Sequence, residues 1–182
     1  MTVGAGKTVE LRSERPEDRD EVLRLTARAF DGGDGRESVE VHLLSELFGC
    51  DEYLPDLSIV AVARQPGGGS AIAGHSITTR GWIDGQPALG LGPISVLPEF
   101  QGQGIGAALL EETRNRAEAR GDCVIVLLGH TGYYPRFGYR PAAELRIQAP
   151  DPQWGGHFMA LRLAGRDVPA GLFRYAEPFS RL

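Results

Sequence analysis

The segment of this sequence with the clearest chemical potential is a turn that carries three closely spaced glycines. It spans Val96–Gly106, in which Gly102, Gly104 and Gly106 precede the small residue Ala107. The first N–H groups of a helix lack intrahelical partners, and glycines let a bulky anion approach them closely. Together with the helix dipole, such a turn favours binding of a phosphate or pyrophosphate. The glycines alone are equally compatible with a plain strand-to-helix turn.

Two common phosphate-binding motifs do not fit the sequence. The dinucleotide fingerprint needs G-x-G-x-x-G and an acid that ends the next strand, whereas this turn reads G-x-G-x-G and Asp122 precedes the next strand. Gly6-Lys7-Thr8 is similar to the end of a P-loop, but the first glycine of that motif would fall on Met1. Both motifs are therefore rejected.

Hydrophobic periodicity predicts the elements that position this turn. Strands lead and are followed by a strand–helix–strand unit, which predicts a single mixed α/β domain. A hairpin turn is predicted at Asp84-Gly85. The predicted helices run from Pro16 to about Phe30, from about Glu37 to Phe48, and from the glycine turn to about Arg120. The predicted strands are Thr8–Leu11, Leu57–Ala63, Ala71–Arg80, Ala88–Val96, Cys123–Leu128, Leu145–Ala149 and Phe158–Leu163.

Two segments resemble signature motifs of the GNAT superfamily of N-acetyltransferases. Leu91–Gly106 is similar to motif A, because its Q-x-x-G-x-G run from Gln101 matches the family's Q/R-x-x-G-x-G/A signature. Further along, Tyr133–Tyr139 (YYPRFGY) resembles the family's Y-x-x-x-G-F/Y segment. With the preceding Leu-Gly-His130, it is also similar to the YhbS-like bacterial acetyltransferases. The resemblance covers roughly residues 9–164 and implies a mostly antiparallel central sheet, splayed at a bulged strand and flanked by helices.

The resemblance also implies how acetyl-CoA, the cosubstrate, would bind. Gly92-Pro93 interrupts a predicted strand, and proline cannot donate a ladder hydrogen bond, so a bulge is expected there. The strand backbone after it would be free to bond the pantetheine arm, while the glycine turn would hold the pyrophosphate. Arg114, Arg116, Arg136 and Arg140 are further candidates for contact with the CoA phosphates. The implied binding residues are Ile94, Ser95, Val96, Gln101, Gly102, Gln103, Gly104, Ile105, Gly106 and Ala107.

Acetylation of an amine by direct attack in a ternary complex, the chemistry that the resemblance implies, needs an acid for the departing thiolate. Tyr134 lies four residues before Gly138 and matches the tyrosine that many members use as this acid. A phenol with a pKa near 10 is a weaker acid than a thiol near 8.5, and the difference corresponds to roughly 2 kcal/mol. Tyr133 is the neighbouring alternative, and packing against the cofactor is the alternative role.

The base that deprotonates the amine is less defined by the sequence. Many relatives carry a glutamate on the bulged strand, but residues 88–96 contain no acid. His75 and His130 are candidates because an imidazole titrates near neutral pH. Glu37 and Glu40 are further candidates, since the second helix often borders the acceptor cleft in this family. Deprotonation through water, or in solution, is the remaining possibility.

Composition narrows the class of protein. The 182 residues suffice for one domain, and a net charge of −5 without a dense basic run predicts no nucleic-acid partner. No apolar run approaches the roughly 18–20 residues that span a bilayer, and the N-terminus lacks the apolar stretch of a signal peptide. Four histidines and two cysteines show no metal-ligand spacing, so no metal is predicted. The two cysteines form no disulfide framework, which predicts a cytoplasmic protein.

The predicted organisation is a flexible N-terminus over residues 1–8, an acetyltransferase domain over 9–164 and a C-terminal extension over 165–182. The extension is expected to pack on the domain or to form a homodimer contact. The acidic balance of residues 1–100 favours a cationic acceptor, either a small amine or a peptide amine. Two other hypotheses are a non-catalytic CoA-binding sensor or interaction module and a protein acetyltransferase.

Overall fold

The computed structural model describes residues 2–3, 7–33, 38–64 and 68–181. Among these residues, a central sheet runs in the order β1-β2-β3-β4-β5-β6-β9-β7, and β10 pairs with both β4 and β8. The helices are α1 (Arg19–Ala29), α2 (Val39–Leu47) and α3 (Ile105–Arg120). The strands are β1 (Thr2–Val3), β2 (Lys7–Ser13), β3 (Ser58–Arg64), β4 (Ser70–Ile83), β5 (Gln86–Val96), β6 (Val124–Leu128), β7 (Arg140–Pro141), β8 (Ile147–Gln148), β9 (Phe158–Arg162) and β10 (Gly171–Arg174).

Alternating side chains of the central strands build two cores, one on each face of the sheet. In β3, Val60 packs with α1 and α2, whereas Ile59 and Ala61 pack with Ile105 and Leu109 of α3. This division follows from the strand geometry, in which successive side chains point to opposite faces. The mostly antiparallel mixed α/β sheet flanked by helices is therefore confirmed.

The sheet opens between its two parallel strands. β5 and β6 pair only where Leu89 faces Ile125 and Gly90 faces Val126. Beyond this point β5 remains paired with β4 and β6 remains paired with β9, so the two strands diverge. A bulge accompanies the divergence, because Gly92 and Pro93 together face a single position of β4; the Gly92–Pro93 peptide is cis. The predicted splay at a bulged strand is confirmed.

One predicted strand is wrong. The sequence indicated a strand over Leu145–Ala149, but Ala142–Leu145 forms a 3-10 helix and only Ile147–Gln148 pairs as β8. The helix ends at Arg146, whose positive φ of 59° turns the chain before the pairing starts. The partner of β8 is β10, which lies about 25 residues later in the chain and was not predicted as a strand.

The segments at the two chain ends also pair with the domain. In the C-terminal extension, Phe173 and Arg174 pair with Ile83 and Trp82 of β4, and the side chain of Phe173 is buried. In the segment predicted to be flexible, Thr2–Val3 pairs with the start of β2. Among the described residues, no helix is long and apolar enough to cross a membrane.

Candidate active site

The glycine turn, predicted to be a phosphate cradle, leads directly into the start of α3. Gly102 and Gly104 adopt positive φ angles of 71° and 87°, and α3 begins directly afterwards at Ile105. Among the described residues, no side chain caps this helix start. The N–H groups of its first turn are therefore available to an anion, and the helix dipole favours negative charge there.

The two glutamines of this turn brace it through their side chains. Nε2 of Gln101 donates to the carbonyl oxygen of Val96 at 3.0 Å, and Nε2 of Gln103 donates to that of Glu99 at 2.8 Å. The Glu99 carboxylate in turn accepts two hydrogen bonds from the Arg28 guanidinium, both at 3.1 Å. These contacts hold the loop in place, so the glutamines contribute to an anion site mainly by fixing the backbone.

A cavity of about 800 Å³ opens from the gap between β5 and β6. One lip is Leu91–Ile94 of β5, and the other is formed by the end of β6 and its following loop, Leu128–His130. Tyr134 lines the cavity at this second lip. Of the predicted site residues, the structure thus brings Ile94, His130 and Tyr134 together.

Ser95 and Val96 continue the same strand past the gap. The Ser95 side chain is buried, and its Oγ lies 3.1 Å from Oγ1 of Thr26 in α1. The Val96 carbonyl already accepts a hydrogen bond from Gln101. Ser95 and Val96 can therefore offer a ligand their remaining backbone groups, on the part of the β5 edge that does not pair with β6.

Two glycines leave room for the tyrosines of the Y-x-x-x-G segment. A Cβ atom on Gly106 would lie 2.8 Å from the hydroxyl oxygen of Tyr133, and a Cβ atom on Gly129 would overlap the ring of Tyr134. The Tyr133 ring is covered on one side by Arg136, whose guanidinium carbon lies 4.1 Å from the ring centre. Tyr133 therefore reaches the cradle, whereas Tyr134 faces the cavity. Gly129 is a site residue that the sequence analysis missed, although its place in the Leu-Gly-His130 run was noted.

The environment of Tyr134 keeps its phenol protonated. The ring packs edge-on against Tyr133 and Tyr139, with centres 5.2 and 5.8 Å apart. Burial, with a smaller contribution from Tyr133, raises the pKa of Tyr134 to about 12. Its hydroxyl makes no hydrogen bond to any other described residue, so it is left for a ligand in the cavity.

His75 does not reach the cavity. Its side chain is fully buried, and its Nε2 lies 2.9 Å from Oγ of Ser58. The ring centre is 6.1 Å from that of Phe48, which places His75 in the core beneath α2. Desolvation lowers the pKa of His75 to about 3. The structure therefore separates this predicted base from Tyr134 and makes it a neutral core histidine.

The other candidate bases are distributed around the rim. His130 is exposed and lines the cavity. Glu37 lies outside the described residues. Glu40, in the first turn of α2, also lines the cavity, and none of the described residues forms an ion pair or hydrogen bond with its carboxylate. Within the described residues, no group of three or more histidine, cysteine, aspartate or glutamate side chains could hold a metal ion.

The side of the cavity that faces away from the cradle was largely missed by the sequence analysis. Its walls come from α1, α2, the loop after β8 and the C-terminal extension. The aromatic residues of the extension were noted as candidates for packing or dimerisation, but nothing in their spacing indicated a cavity wall. The residues that form these walls are Phe30, Val39, Glu40, Leu43, Pro150, Asp151, Trp154, Leu172, Phe173, Arg174, Tyr175, Ala176, Phe179 and Ser180.

A second groove, of about 410 Å³, lies beside the cradle between α3 and residues 136–139. Arg114 and Arg136 both line it. Arg114 is paired with Glu118 at 3.0 Å, whereas Nε of Arg136 donates to the Tyr133 carbonyl. Of the other two arginines considered above, Arg116 is paired with Glu112 and Arg140 approaches Glu144. The groove therefore offers the Arg136 guanidinium, with no carboxylate partner among the described residues, next to the glycine turn.

Comparison with known proteins places this site in a family. The profile described as an acetyltransferase (GNAT) domain matches residues 56–141. The uncharacterized N-acetyltransferase YjhQ of Escherichia coli K12 is 32% identical over 140 residues, which cover 74% of this chain and 72% of that protein.

Solved structures agree with this match. A GNAT family acetyltransferase from Brucella melitensis, crystallised with acetyl-CoA, superposes with a TM-score of 0.74 at 31% identity, covering 94% of this chain and 98% of that one. The N-acetyltransferase YhbS from Escherichia coli, crystallised with CoA, superposes with a TM-score of 0.83 at 25% identity, covering 97% and 94%. The splayed sheet, the glycine turn and these relatives lead to one assignment: the chain belongs to the GNAT family of N-acetyltransferases.

Proposed function

We propose that this acetyltransferase binds acetyl-CoA in the opening between β5 and β6 and transfers the acetyl group directly to a primary amine in a ternary complex. The observation that carries the proposal is the divergence of the two parallel strands after Gly90 and Val126, beside an uncapped helix start. The divergence leaves a strand edge for an amide-containing arm, and the helix start provides N–H groups for its phosphates. That the two similar acetyltransferases were crystallised with acetyl-CoA and with CoA supports the same reading.

In this proposal, each part of the cosubstrate is assigned to a group on the protein. The backbone of Gly102–Ala107 would hold the pyrophosphate, and the free edge of Ile94–Val96 would bond the amides of the pantetheine arm. The second groove, with Arg136 at its side, would take the adenosine phosphate end. Most of these contacts would come from the main chain, which is consistent with a turn that is rich in glycine rather than in cations.

Tyr134 is the proposed proton donor to the departing sulfur. Its phenol, with a pKa of about 12, stays protonated at every pH at which the enzyme would work. Complete transfer of its proton to a thiolate whose pKa is about 8.5 would be uphill by about 5 kcal/mol. Desolvation in the cavity raises the basicity of the thiolate as well, which reduces this difference. Tyr134 would therefore donate a hydrogen bond to the sulfur first and pass the proton as the carbon–sulfur bond breaks.

The acceptor must lose a proton before its nitrogen can attack. The nitrogen lone pair forms the new bond to the acetyl carbon, and the carbon–sulfur electron pair leaves with the sulfur. The nitrogen, now positively charged, loses a second proton to solvent and becomes the neutral amide. Tyr134 would give a proton to the sulfur and regain one from solvent, so the whole reaction releases one proton. The ammonium proton would pass to Glu40, to His130 or to water, because these groups border the cavity and His75 does not. Glu37 stays a predicted base, and it lies outside the described residues.

A CoA-binding module without transferase chemistry is the second candidate function. The observation that favours it is the absence of an acidic residue in residues 88–96, where many relatives carry a glutamate. Retained acetyl-CoA binding with no turnover of any amine would support this candidate. A cytoplasmic location and a homodimer stay predictions; the free thiols of Cys50 and Cys123 are consistent with a reducing compartment.

The cofactor site can be tested with a matched pair of glycine variants. Gly102 and Gly165 both adopt a φ of 71°, and a Cβ at either position meets no atom within 4 Å. Gly102→Glu and Gly165→Glu therefore share the same backbone strain, but only the first places a carboxylate in the cradle. A hundredfold excess of acetyl-CoA over its Kd should stabilise the native protein by about 2.7 kcal/mol.

For a chain of this size, that stabilisation corresponds to a rise in Tm of roughly 5–10 °C. Differential scanning fluorimetry should show the rise in the native protein and in Gly165→Glu, and should show none in Gly102→Glu. An equal rise in both variants would disprove the cradle, and no rise in the native protein at millimolar acetyl-CoA would disprove the proposed function.

A further inference from the structure

The exposed apolar side chains of this protein are gathered at one place. Among the described residues, the large hydrophobic side chains with substantial exposure are Phe30 at 36%, Val39 at 61%, Leu128 at 47% and Leu172 at 50%. All of them line the same cavity, although they come from three distant parts of the chain: the α1–α2 region, the end of β6 and β10. A contiguous exposed apolar surface of this kind marks a binding site, whereas single exposed hydrophobic residues scattered over a protein are ordinary.

Two aromatic rings extend this apolar surface of the cavity. Trp154 and Phe179 line the cavity and are only half-buried. Both pack on Tyr175, with ring centres 6.2 and 4.5 Å from it. This packing holds the rings in position before any ligand arrives, which lowers the entropy lost on binding. The walls therefore offer a preformed site for a flat or bulky apolar group.

The charged groups around this surface differ in whether their charges are free to bind a ligand. Oδ1 of Asp151 accepts a hydrogen bond from the Gln153 amide at 2.8 Å and caps the following 3-10 helix. The guanidinium of Arg174 lies over the ring of Trp82, 4.2 Å from its centre. Glu40, in contrast, has no ion pair or hydrogen bond among the described residues, and its place in the first turn of α2 suits a negative charge.

We propose that the acceptor is a small primary amine with an apolar, preferably aromatic, body and that Glu40 binds its ammonium group. This inference rests on the proposed function, whose acetyl group would be presented at the Tyr134 lip of the same cavity. A polyamine fits less well, since its further ammonium groups would lose hydration against the apolar walls. The segments that would select the acceptor lie outside residues 56–141, the part of the chain that the family profile matches.

The first experiment compares acceptors. The purified protein is assayed for CoA thiol release from acetyl-CoA with 2-phenylethylamine, hexylamine, ethanolamine, spermidine and a short unmodified peptide. We expect kcat/KM for 2-phenylethylamine to exceed that for ethanolamine and for spermidine by at least tenfold. A preference for spermidine, ethanolamine or the peptide would overturn the inference and leave the proposed function intact. Acetyl-CoA binding without turnover of either apolar amine would also overturn it.

The second experiment tests the role of Glu40. Glu40→Gln should raise the KM for 2-phenylethylamine at least tenfold while the Tm rise caused by acetyl-CoA is unchanged. The matched control is Asp20→Asn, which removes an exposed acid from the first turn of α1 away from the cavity and should leave both quantities as they were. An unchanged KM in Glu40→Gln would overturn the assignment of the ammonium site.

The third experiment tests the apolar wall at a half-exposed position, where folding tolerates a polar residue. Leu172→Ser should reduce the preference for 2-phenylethylamine over ethanolamine by at least threefold. Acetyl-CoA-induced stabilisation of Leu172→Ser should match that of the native protein. If that stabilisation is absent in the native protein too, the cofactor proposal has failed rather than the acceptor inference.

Discussion

The two halves of the cavity are built in different ways. The proposed cofactor half consists of β5 and the loop after β6, together with the glycine turn outside the cavity lining, and it presents mainly backbone: an unpaired strand edge and an uncapped helix start. The acceptor half consists of side chains from α1, α2, the segment 150–154 and the C-terminal extension. The first half lies within residues 56–141, which the family profile matches, whereas the second lies outside them. Backbone recognition can be kept while side chains vary, so one fold can serve many acceptors.

This difference sets opposite sensitivities to substitution. In the cofactor half, added side-chain atoms should weaken cofactor binding, because a Cβ atom at Gly106 or Gly129 would collide with a tyrosine side chain. In the acceptor half, removal of side-chain atoms should weaken acceptor binding, because its walls are apolar side chains that a ligand would cover. The four predictions below test this contrast and run from the largest expected effect to the smallest.

Tyr134→Phe should have the largest effect on catalysis. Removal of the phenol should lower kcat by roughly 10²–10⁴-fold, the usual contribution of a positioned acid. The Kd for acetyl-CoA should change little, since the ring that packs over Gly129 is retained. Steady-state kinetics and calorimetric titration of both proteins measure the two quantities.

Tyr133→Phe is the control for this substitution. It removes the hydroxyl that lies near Gly106 but does not line the cavity, so kcat should stay within a few-fold of the native value. A loss in Tyr133→Phe as large as that in Tyr134→Phe would reassign the acid.

His75→Gln should change the dependence of stability on pH rather than catalysis. The histidine has a pKa of about 3 in the fold and near 6.5 when unfolded, so the unfolded state binds more protons below pH 6.5. This one group should therefore lower the free energy of unfolding by about 2 kcal/mol between pH 8 and pH 5. Urea denaturation of His75→Gln should lack this part of the loss, and its kcat at pH 8 should remain near the native value.

The control for His75 is the exposed His42, which lies near Glu46 on α2. His42→Gln should retain the native loss of stability between pH 8 and pH 5. A much lower kcat in His75→Gln at pH 8, with folding intact, would contradict the assignment of His75 to the core.

Gly106→Ala should weaken cofactor binding by about tenfold. The new methyl group would displace the Tyr133 hydroxyl, whereas the helix itself gains from alanine by up to about 1 kcal/mol. Isothermal titration with acetyl-CoA and thermal denaturation should thus move in opposite directions. The double variant Gly106→Ala/Tyr133→Phe removes the contacting oxygen and should recover most of the lost affinity. If it does not, the contact between these residues is not the cause.

Phe30→Ala should have the smallest effect, and only on the acceptor. Phe30 is 36% exposed at the end of α1, so its loss removes part of a wall without opening the core. The KM for an apolar amine should rise about threefold, which corresponds to roughly 0.7 kcal/mol at 25 °C. The Kd for acetyl-CoA should stay the same, and a weaker cofactor affinity in Phe30→Ala would show that the two halves are coupled.

The backbone features of the proposed cofactor half could be predicted because their signals are local. Gly102 and Gly104 adopt positive φ angles that few other residues adopt, and Gly92-Pro93 marks an interrupted ladder. Tyr134 was found through its spacing from Gly138, whose positive φ of 90° ends the 3-10 helix that carries the tyrosine. Helices and long strands followed from their apolar period, because each buries a face over many residues.

The acceptor half and the proton acceptors could not be predicted in the same way. His75 has the chemistry of a base, and only the packing of Phe48 and the hydrogen bond to Ser58 show that it is core. β8 and β10 are too short to carry a pattern; β8 forms by pairing with β10, and β10 forms by pairing with both β8 and β4. The wall residues lie between positions 30 and 180 of the chain, and nothing in their spacing brings them together.

The sequence by itself determined the family, the order of the main elements and the glycine cradle, because these depend on residues within a few positions of one another. Only the tertiary structure decided that the C-terminal segment walls the cavity, that Glu40 is available to a ligand and that His75 is not. Burial and proximity between distant segments arise from packing, which a linear pattern does not encode. The signals for the proposed cofactor site can therefore be read from the sequence, whereas the proposed acceptor site is defined only by the packing of distant segments.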